Sequence, residues 1–279
     1  MTGDERRAGN APGDLPENQP ANLPGSLPVP RTRLVGRQAE LSEIQRLYES
    51  DVGARLVTLT GVGGVGKTRL AQAAAAGLRR DFRDGAWWVE LSPLQEGMLL
   101  PYAIGQALSV ANEITRPMIE VVGDFLAGRE LLLVLDTCEH LVDVCASAAR
   151  TLLAAAPGLR ILVTSRRPLG MADEQVVMID PLPVPGTDDC AGAGSDAVVL
   201  LAERAAQAVP GFEITDANRA DVLRLCRRLE GLPLALELAA ARLQELSVRE
   251  LTEKLDDRFA VLGAPEKITT DTPAPPSSR

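Results

Sequence analysis

The sequence predicts an α/β fold: a five-stranded parallel sheet sandwiched by helices, followed by a small all-α domain. Three observations carry this. Short apolar runs alternate with helical patterns over residues 31–185, the signature of parallel βαβ units. One run, LLLVLD at Leu131–Asp136, is apolar up to its last residue, as a central strand covered on both faces should be. After Pro185 the strand patterns stop and the remainder reads as helix.

Each element has its own warrant. Residues 1–30 are rich in Pro, Gly, Asn and Asp without apolar periodicity and predict a disordered leader; residues 264–279 predict a disordered tail in the same way. RLVTLT (Arg55–Thr60) predicts the first strand, Lys67 to about Leu78 an Ala-rich helix, and AWWVEL (Ala86–Leu91) the second strand. Helical stretches follow over Met98–Ser109 and Pro117–Ala127. Beyond LLLVLD come a helix over Val142–Ala156, the strand RILVTS (Arg160–Ser165) and a weaker strand VVMID (Val176–Asp180). Residues 186–196 are small and polar and read as a linker to a helical domain at 197–263. In that domain Ala197–Val209 has helical periodicity, and Thr215 is expected to cap a helix to about Leu229, ended by Gly231. Pro233 suits a first helical turn, and Ser247 with Glu250 forms a capping-box pattern.

Composition removes whole function classes. The 279 residues carry 29 basic and 38 acidic side chains, a net charge of −9 that argues against sequence-independent nucleic-acid binding. The single histidine, His140, excludes sites built from two or more imidazoles. No apolar run reaches a membrane span and no signal-peptide segment is visible, so the expected compartment is the cytoplasm. Four cysteines (Cys138, Cys145, Cys190, Cys226) form no CxxC pair and read as free thiols. Cys138, His140 and Cys145 match no usual zinc spacing.

The chemistry concentrates in GVGGVGKT, Gly61–Thr68, which fits G-x-x-x-x-G-K-[ST] between a strand and a helix. Such a loop (Gly61, Val62, Gly63, Gly64, Val65, Gly66, then Lys67 and Thr68) wraps phosphates with backbone N–H groups at a helix N-terminus. Lys67 is one of only three lysines in the chain. It is expected on the β- and γ-phosphates, with the Thr68 hydroxyl on Mg²⁺ and Asp136, at the end of the apolar strand, as the second magnesium ligand. The sheet is therefore expected to be a P-loop NTPase sheet of the extra-strand type. Thr137 occupies the position where a fast ATPase of that type places its water-orienting glutamate, and Glu139 lies two residues further on. Slow hydrolysis is the expectation. Arg166 and Arg167 follow RILVTS, where an arginine can sense a terminal phosphate.

LVGRQAEL (Leu34–Leu41), GVGGVGKTRLA, LLLVLDTCEHL, ILVTSRRPLG and EGLPLALELAA together resemble the NB-ARC branch of the STAND-class signal-transduction NTPases. The resemblance covers about residues 34–263 and extends to the nucleotide-binding region of bacterial SARP- and LuxR-like transcriptional regulators. It implies that Val35 and Arg37 hold adenine, that Gly61–Arg69 and Asp136 hold phosphates and Mg²⁺, that Arg166 senses phosphate, and that Pro233 packs near adenine. It also implies exchange of ADP for ATP between a closed and an open, oligomerising form. The sequence departs from that pattern at Thr137 and carries no counterpart of the family's winged helix. His140 lies in the Walker B region and is not that domain's nucleotide-sensing histidine.

The leading expectation is thus an ATP/ADP-binding regulatory switch module, an enzyme only as a weak ATPase. Its partners are expected to be an adenine nucleotide, further copies of itself or sensor and effector domains, with no direct nucleic acid and no membrane. The alternatives are an active ATPase and a non-catalytic interaction module that holds ADP.

Overall fold

The structure, a computed structural model, describes residues 25–30, 32–49, 53–113, 115–186 and 194–263, with side chains as far as 255 in the last helix. Among them, β1 (Gly25–Ser26), β2 (Leu56–Thr60), β3 (Ala86–Glu90), β4 (Leu131–Asp136), β5 (Leu159–Thr164) and β6 (Glu174–Met178) form one sheet. All pairings are parallel and the order is β1-β3-β4-β5-β2-β6. The last five are the five expected strands. Because β5 lies between β2 and β4, the strand before the glycine loop and the strand ending in Asp136 are not neighbours, as in the extra-strand type. A sixth strand was not foreseen. Gly25–Ser26, within the stretch read as leader, pairs with Ala86–Trp87 through backbone alone, which leaves no apolar pattern to read. Residues 1–24, the tail at 264–279 and most of the 186–196 linker lie outside the described residues.

The alternation of side chains along β4 explains why its sequence is apolar throughout. Leu131, Leu133 and Leu135 join Ile161 and Val163 in a core under α3 (Leu100–Ala107), α4 (Met118–Leu126) and α5 (Val142–Ala155). Leu132 and Val134 point the other way, with Val57, Leu59 and Leu162, into a core under α1 (Gln38–Glu49) and α2 (Lys67–Leu78). On α2 the buried stripe includes Ala71, Ala74 and Ala75, whose small side chains let the helix lie close to the sheet.

Helices α6 (Asp196–Ala208), α7 (Arg219–Arg228), α8 (Pro233–Arg242) and α9 (Val248–Gly263) enclose a core of their own, built on Val198, Leu201, Val222, Leu225 and Leu236. Val35 and Leu182 enter that core from the rest of the chain. Pro233 is at the first turn of α8, and the Ser247–Glu250 box forms as expected: Ser247 N–H donates to Glu250 Oε2 at 2.8 Å, and Glu250 N–H to Ser247 Oγ at 3.2 Å. The expected cap of α7 is corrected. Asn218, not Thr215, is the N-cap, while Asn218 Oδ1 accepts from Thr215 N–H at 2.8 Å and so tightens an extra turn before the helix.

One glycine fixes how the helical part leaves the sheet. Gly231 has φ +66°, and a Cβ there would stand 2.1 Å from the Leu182 carbonyl oxygen. Leu182 N–H donates to the Gly231 carbonyl at 3.0 Å, fastening the turn before α8 to the segment leaving β6. No helix among the described residues is long and apolar enough to cross a membrane.

Leu133 is fully buried beneath three helices. Leu133→Ala is expected to lower unfolding free energy by about 2–5 kcal/mol, against about 1 kcal/mol for the cap variant Ser247→Ala. Urea unfolding midpoints at constant slope measure both.

Candidate functional site

The carboxyl ends of β2, β5 and β4 meet at one edge of the sheet, and the chain places its least apolar buried residues there. After Thr60 the backbone turns through Gly61–Gly66 into α2. Gly64, at φ +78°, leaves room for α8: a Cβ on it would come within 2.9 Å of Leu234 Cβ. Lys67 is buried at the start of α2, its Nζ donating to the carbonyls of Gly61 (2.8 Å) and Val62 (3.0 Å). Its pKa is lowered, chiefly by burial; Glu139 works against this, Arg166 adds to it, and Asp136 opposes it.

Asp136 is 4% exposed. Its Oδ1 accepts from Thr68 Oγ1 at 2.9 Å and Thr164 Oγ1 at 2.6 Å, and its Oδ2 from Thr137 Oγ1 at 3.3 Å. Burial raises its pKa, and the hydrogen bonds from Thr164, Thr68 and Thr137 partly offset that. Thr137 has φ +67°, and its N–H donates to Thr164 Oγ1 at 2.8 Å. Thr164 therefore joins Asp136 to the backbone after it. Sequence reasoning missed this residue; its only signal is a hydroxyl at the end of an apolar strand. The alcohol oxygen of Thr68 and the carboxylate oxygen of Asp136 are hard donors within one hydrogen bond of each other, a pair that fits Mg²⁺. His140 Nε2 lies 2.8 Å from the Leu94 carbonyl, while Cys138 and Cys145 are buried in the core.

In front of this edge lies a cavity of about 330 Å³. One wall is the glycine loop from Gly63 through Val65 and Gly66 to Arg69, with Thr137, Glu139, Thr164 and Arg166. The facing wall comes from the helical part: Leu200, Arg204, Pro233, Leu234 and Glu237. Val35 and Arg37 close one end. Of the expected site residues, Gly61, Val62 and Asp136 do not line the cavity; they stand behind it, holding Lys67 and Thr68.

The arginines have distinct partners. Arg166 Nε is 3.2 Å from Glu139 Oε1, and its guanidinium passes close to Gly63. Arg37 is buried in a left-handed conformation, donating to Glu40 Oε1 at 2.6 Å and to the Val65 carbonyl at 3.2 Å. Arg69 donates to the carbonyls of Thr32 (2.7 Å) and Arg33 (3.1 Å). Arg37 thus fastens the VGR segment to the glycine loop, and Arg69 fastens the residues just before that segment to the helix after the loop. On the opposite side Leu234 N–H donates to the Gly64 carbonyl at 3.1 Å, and Pro233 packs over Gly66. Leu200 and Arg204 had no local sequence signal, and Leu234 and Glu237 lay inside the EGLPLALELAA motif without being singled out, because all four reach the cavity only through the packing of α6 and α8.

Comparison with known proteins agrees with this geometry. An AAA ATPase domain pattern matches residues 33–119. A putative HTH-type transcriptional regulator of Mycobacterium tuberculosis is 43% identical over 209 residues, 75% of this chain and 22% of that protein. An uncharacterized protein of the same organism is 36% identical over 231 residues, 83% of this chain and 56% of its own length. The regulatory protein AfsR of Streptomyces griseus is 31% identical over 236 residues, 80% of this chain and 22% of AfsR. The chain therefore spans about a fifth to a half of these relatives. Among solved structures, a STAND protein with a tetratricopeptide repeat sensor from Pyrococcus horikoshii superposes with TM-score 0.52 at 18% identity, covering 82% of this chain and 33% of that one. The ORC2 protein of Aeropyrum pernix gives TM-score 0.52 at 12% identity, covering 80% and 68%. These two likenesses concern the fold.

The raised pKa of Asp136 has a stability consequence. A carboxyl whose folded pKa lies above its unfolded value destabilises the fold once ionised, and the cost fades as pH falls through the folded pKa. Asp136→Asn keeps an oxygen for Thr68 and Thr164. It is expected to unfold at an equal or higher temperature than the parent near pH 7, with the margin shrinking as pH falls. A lower midpoint for the variant at neutral pH would contradict this.

Proposed function

We propose that this chain, whose P-loop NTPase domain resembles STAND-class ATPases and AfsR-type regulators, is a nucleotide-operated switch module within a larger regulator. The observation that carries the reading is the shared glycine loop. Its carbonyl at Gly64 holds α8 of the helical part, while Gly63–Gly66, Lys67 and Thr68 line the cavity between the two. A ligand in that cavity touches both parts at once, so its affinity depends on how they are arranged, and the arrangement depends on it.

The ligand we assign is ATP or ADP with Mg²⁺. Phosphates would take the loop N–H groups and draw Lys67 from the Gly61 and Val62 carbonyls, which it now satisfies. Burial makes Lys67 less basic than a free lysine, and an anionic phosphate beside it restores the charged form. Thr68 and Asp136 would hold Mg²⁺, which when bound neutralises phosphate charge. Val35, Leu200 and Pro233 offer the apolar surface a base needs.

Discrimination between the two nucleotides falls to Arg166. It is engaged by Glu139 at 3.2 Å and is exposed enough to turn. A γ-phosphate, carrying more charge than one carboxylate, competes for the guanidinium, and ADP lacks that group. Hydrolysis is slow on this reading. The residue after Asp136 is Thr137, whose hydroxyl points back to the Asp136 carboxylate, so no carboxylate stands at that position to orient water. Glu139 lines the cavity, which keeps a second reading specific: an ATPase in which Glu139 acts as base. Turnover of many ATP per second, abolished by Glu139→Gln with binding intact, would establish it.

The whole regulator's partners lie in its other parts. The relative described as HTH-type suggests that DNA is contacted elsewhere in such a protein, consistent with the −9 charge of this piece.

Two titrations by calorimetry test the module. Lys67→Ala is expected to abolish binding of both Mg-nucleotides; unchanged affinity would overturn the assignment. Arg166→Ala is expected to weaken ATP about ten-fold or more while leaving ADP within about two-fold, a difference of roughly 1.4 kcal/mol at the γ-phosphate. Equal losses would remove Arg166 from that role.

A further inference from the structure

The two walls of the cavity are joined again on the side of α6, by contacts that the phosphate chemistry does not use. Thr32 and Arg33, just before the VGR segment, each bond to both walls. Their carbonyls accept from Arg69 on α2, at 2.7 Å and 3.1 Å. Their side chains reach the other wall instead. Thr32 Oγ1 accepts from Arg204 Nη2 at 3.0 Å, and Arg33 Nε donates to Glu203 Oε1 at 2.8 Å. Arg204 is itself held by Glu237, whose Oε1 is 2.9 Å from its Nε. The hydrogen bond from Arg33 keeps the Glu203 carboxyl below the usual carboxylate range.

Position says what such a double attachment does. Arg69 directly follows Thr68, so two consecutive residues tie the first turn of α2 to the second half of α6, with Arg33, Arg69 and Arg204 lining the cavity between them. The other junction, from the Gly64 carbonyl to Leu234 N–H, joins backbone to backbone beside the turn that Gly231 fastens to Leu182. That side cannot part without distorting the chain and serves as the hinge. The contacts with α6 are made by side chains, which can let go by rotating. They are also the outer end of the segment: Val35 and Arg37 further along are buried, whereas Thr32 is half-buried and Arg33 exposed, so water competes for their bonds.

Resting on the nucleotide reading above, we propose that Thr32 and Arg33 form a latch that gates nucleotide exchange: the cavity is shut while their side chains hold Arg204 and Glu203, and opens when those bonds release α6. The latch joins protein to protein, so it governs how fast nucleotide enters and leaves rather than how tightly it is held. Weakening it raises the open population before entry and before release by the same factor. ATP and ADP pass the same latch, so its effect does not depend on phosphate number, unlike that of Arg166.

Stopped-flow kinetics of the intact chain with N-methylanthraniloyl-ADP and Mg²⁺, mixed to follow binding and chased with unlabelled ADP to follow release, test this. Thr32→Val keeps the shape and removes the oxygen that accepts from Arg204. It is expected to raise the association and dissociation rate constants together by roughly three- to ten-fold, with Kd staying within about two-fold. Glu203→Gln should raise both by about two- to five-fold, and its surface position keeps the test open if the Thr32 variant fails to fold. Thr32→Ser retains the hydroxyl and should keep the parent rates. Unchanged rates in folded Thr32→Val and Glu203→Gln proteins would overturn the proposal. So would faster dissociation at an unchanged association rate, which would make these residues part of the binding surface and not its latch. If the parent chain binds neither the labelled nucleotide nor ADP, the nucleotide reading itself falls and takes this inference with it.

Discussion

A carboxylate buried at the end of a central strand is the constraint around which this molecule is arranged. Asp136 is ionisable and nearly inaccessible, and the hydrogen bonds to its side chain come from three threonine hydroxyls: Thr68 at the start of α2, Thr164 at the end of β5 and Thr137 beside it. Satisfying one charge thus aligns two strand ends and a helix N-terminus to within a hydrogen bond. The parallel topology supplies these neighbours, because β5 is inserted between β2 and β4 and brings Thr164 against Asp136. Burial still leaves the carboxyl with a raised pKa, so the arrangement tolerates some instability to keep a charged oxygen facing Thr68.

The second organising contact runs from the glycine loop to α8. The Gly64 carbonyl accepts from Leu234 N–H, Gly64 is small enough to let Leu234 approach, and Gly231 holds the turn before α8 against Leu182. The same backbone that faces the cavity is therefore part of the junction with the helical bundle. Arg37 reinforces it from the other side through the Val65 carbonyl. A rearrangement of the loop around phosphates has a direct mechanical route to α8, and that route requires no relay of side chains.

Much of this was legible in the sequence, for identifiable reasons. The central strands β2, β4 and β5 could be read because they are covered on both faces, which leaves continuous apolar runs such as Leu131–Leu135, whereas β6, at the sheet edge with Val176 and Met178 exposed, gives the weaker pattern. GVGGVGKT could be read because its glycines, lysine and threonine are adjacent in the chain. The two-residue strand at Gly25 could not, since backbone pairing leaves no side-chain pattern. Thr215 looked like a cap, but Asn218 takes that place by folding its side chain over the preceding turn. Thr164, Arg204 and Glu237 are single polar residues whose meaning comes from partners 28 to 172 positions away. Local periodicity carries no information about such distances.

The central claim is that nucleotide in the cavity acts on the helical part through the glycine loop. Hydrogen–deuterium exchange on the intact chain, with and without Mg-ATP and Mg-ADP, measures it most directly. The account expects slower exchange both in Gly61–Arg69 and at the start of α8, including Leu234, with ATP and ADP giving different protection in α8. Protection confined to the loop, with α8 exchanging identically in all three conditions, would contradict it.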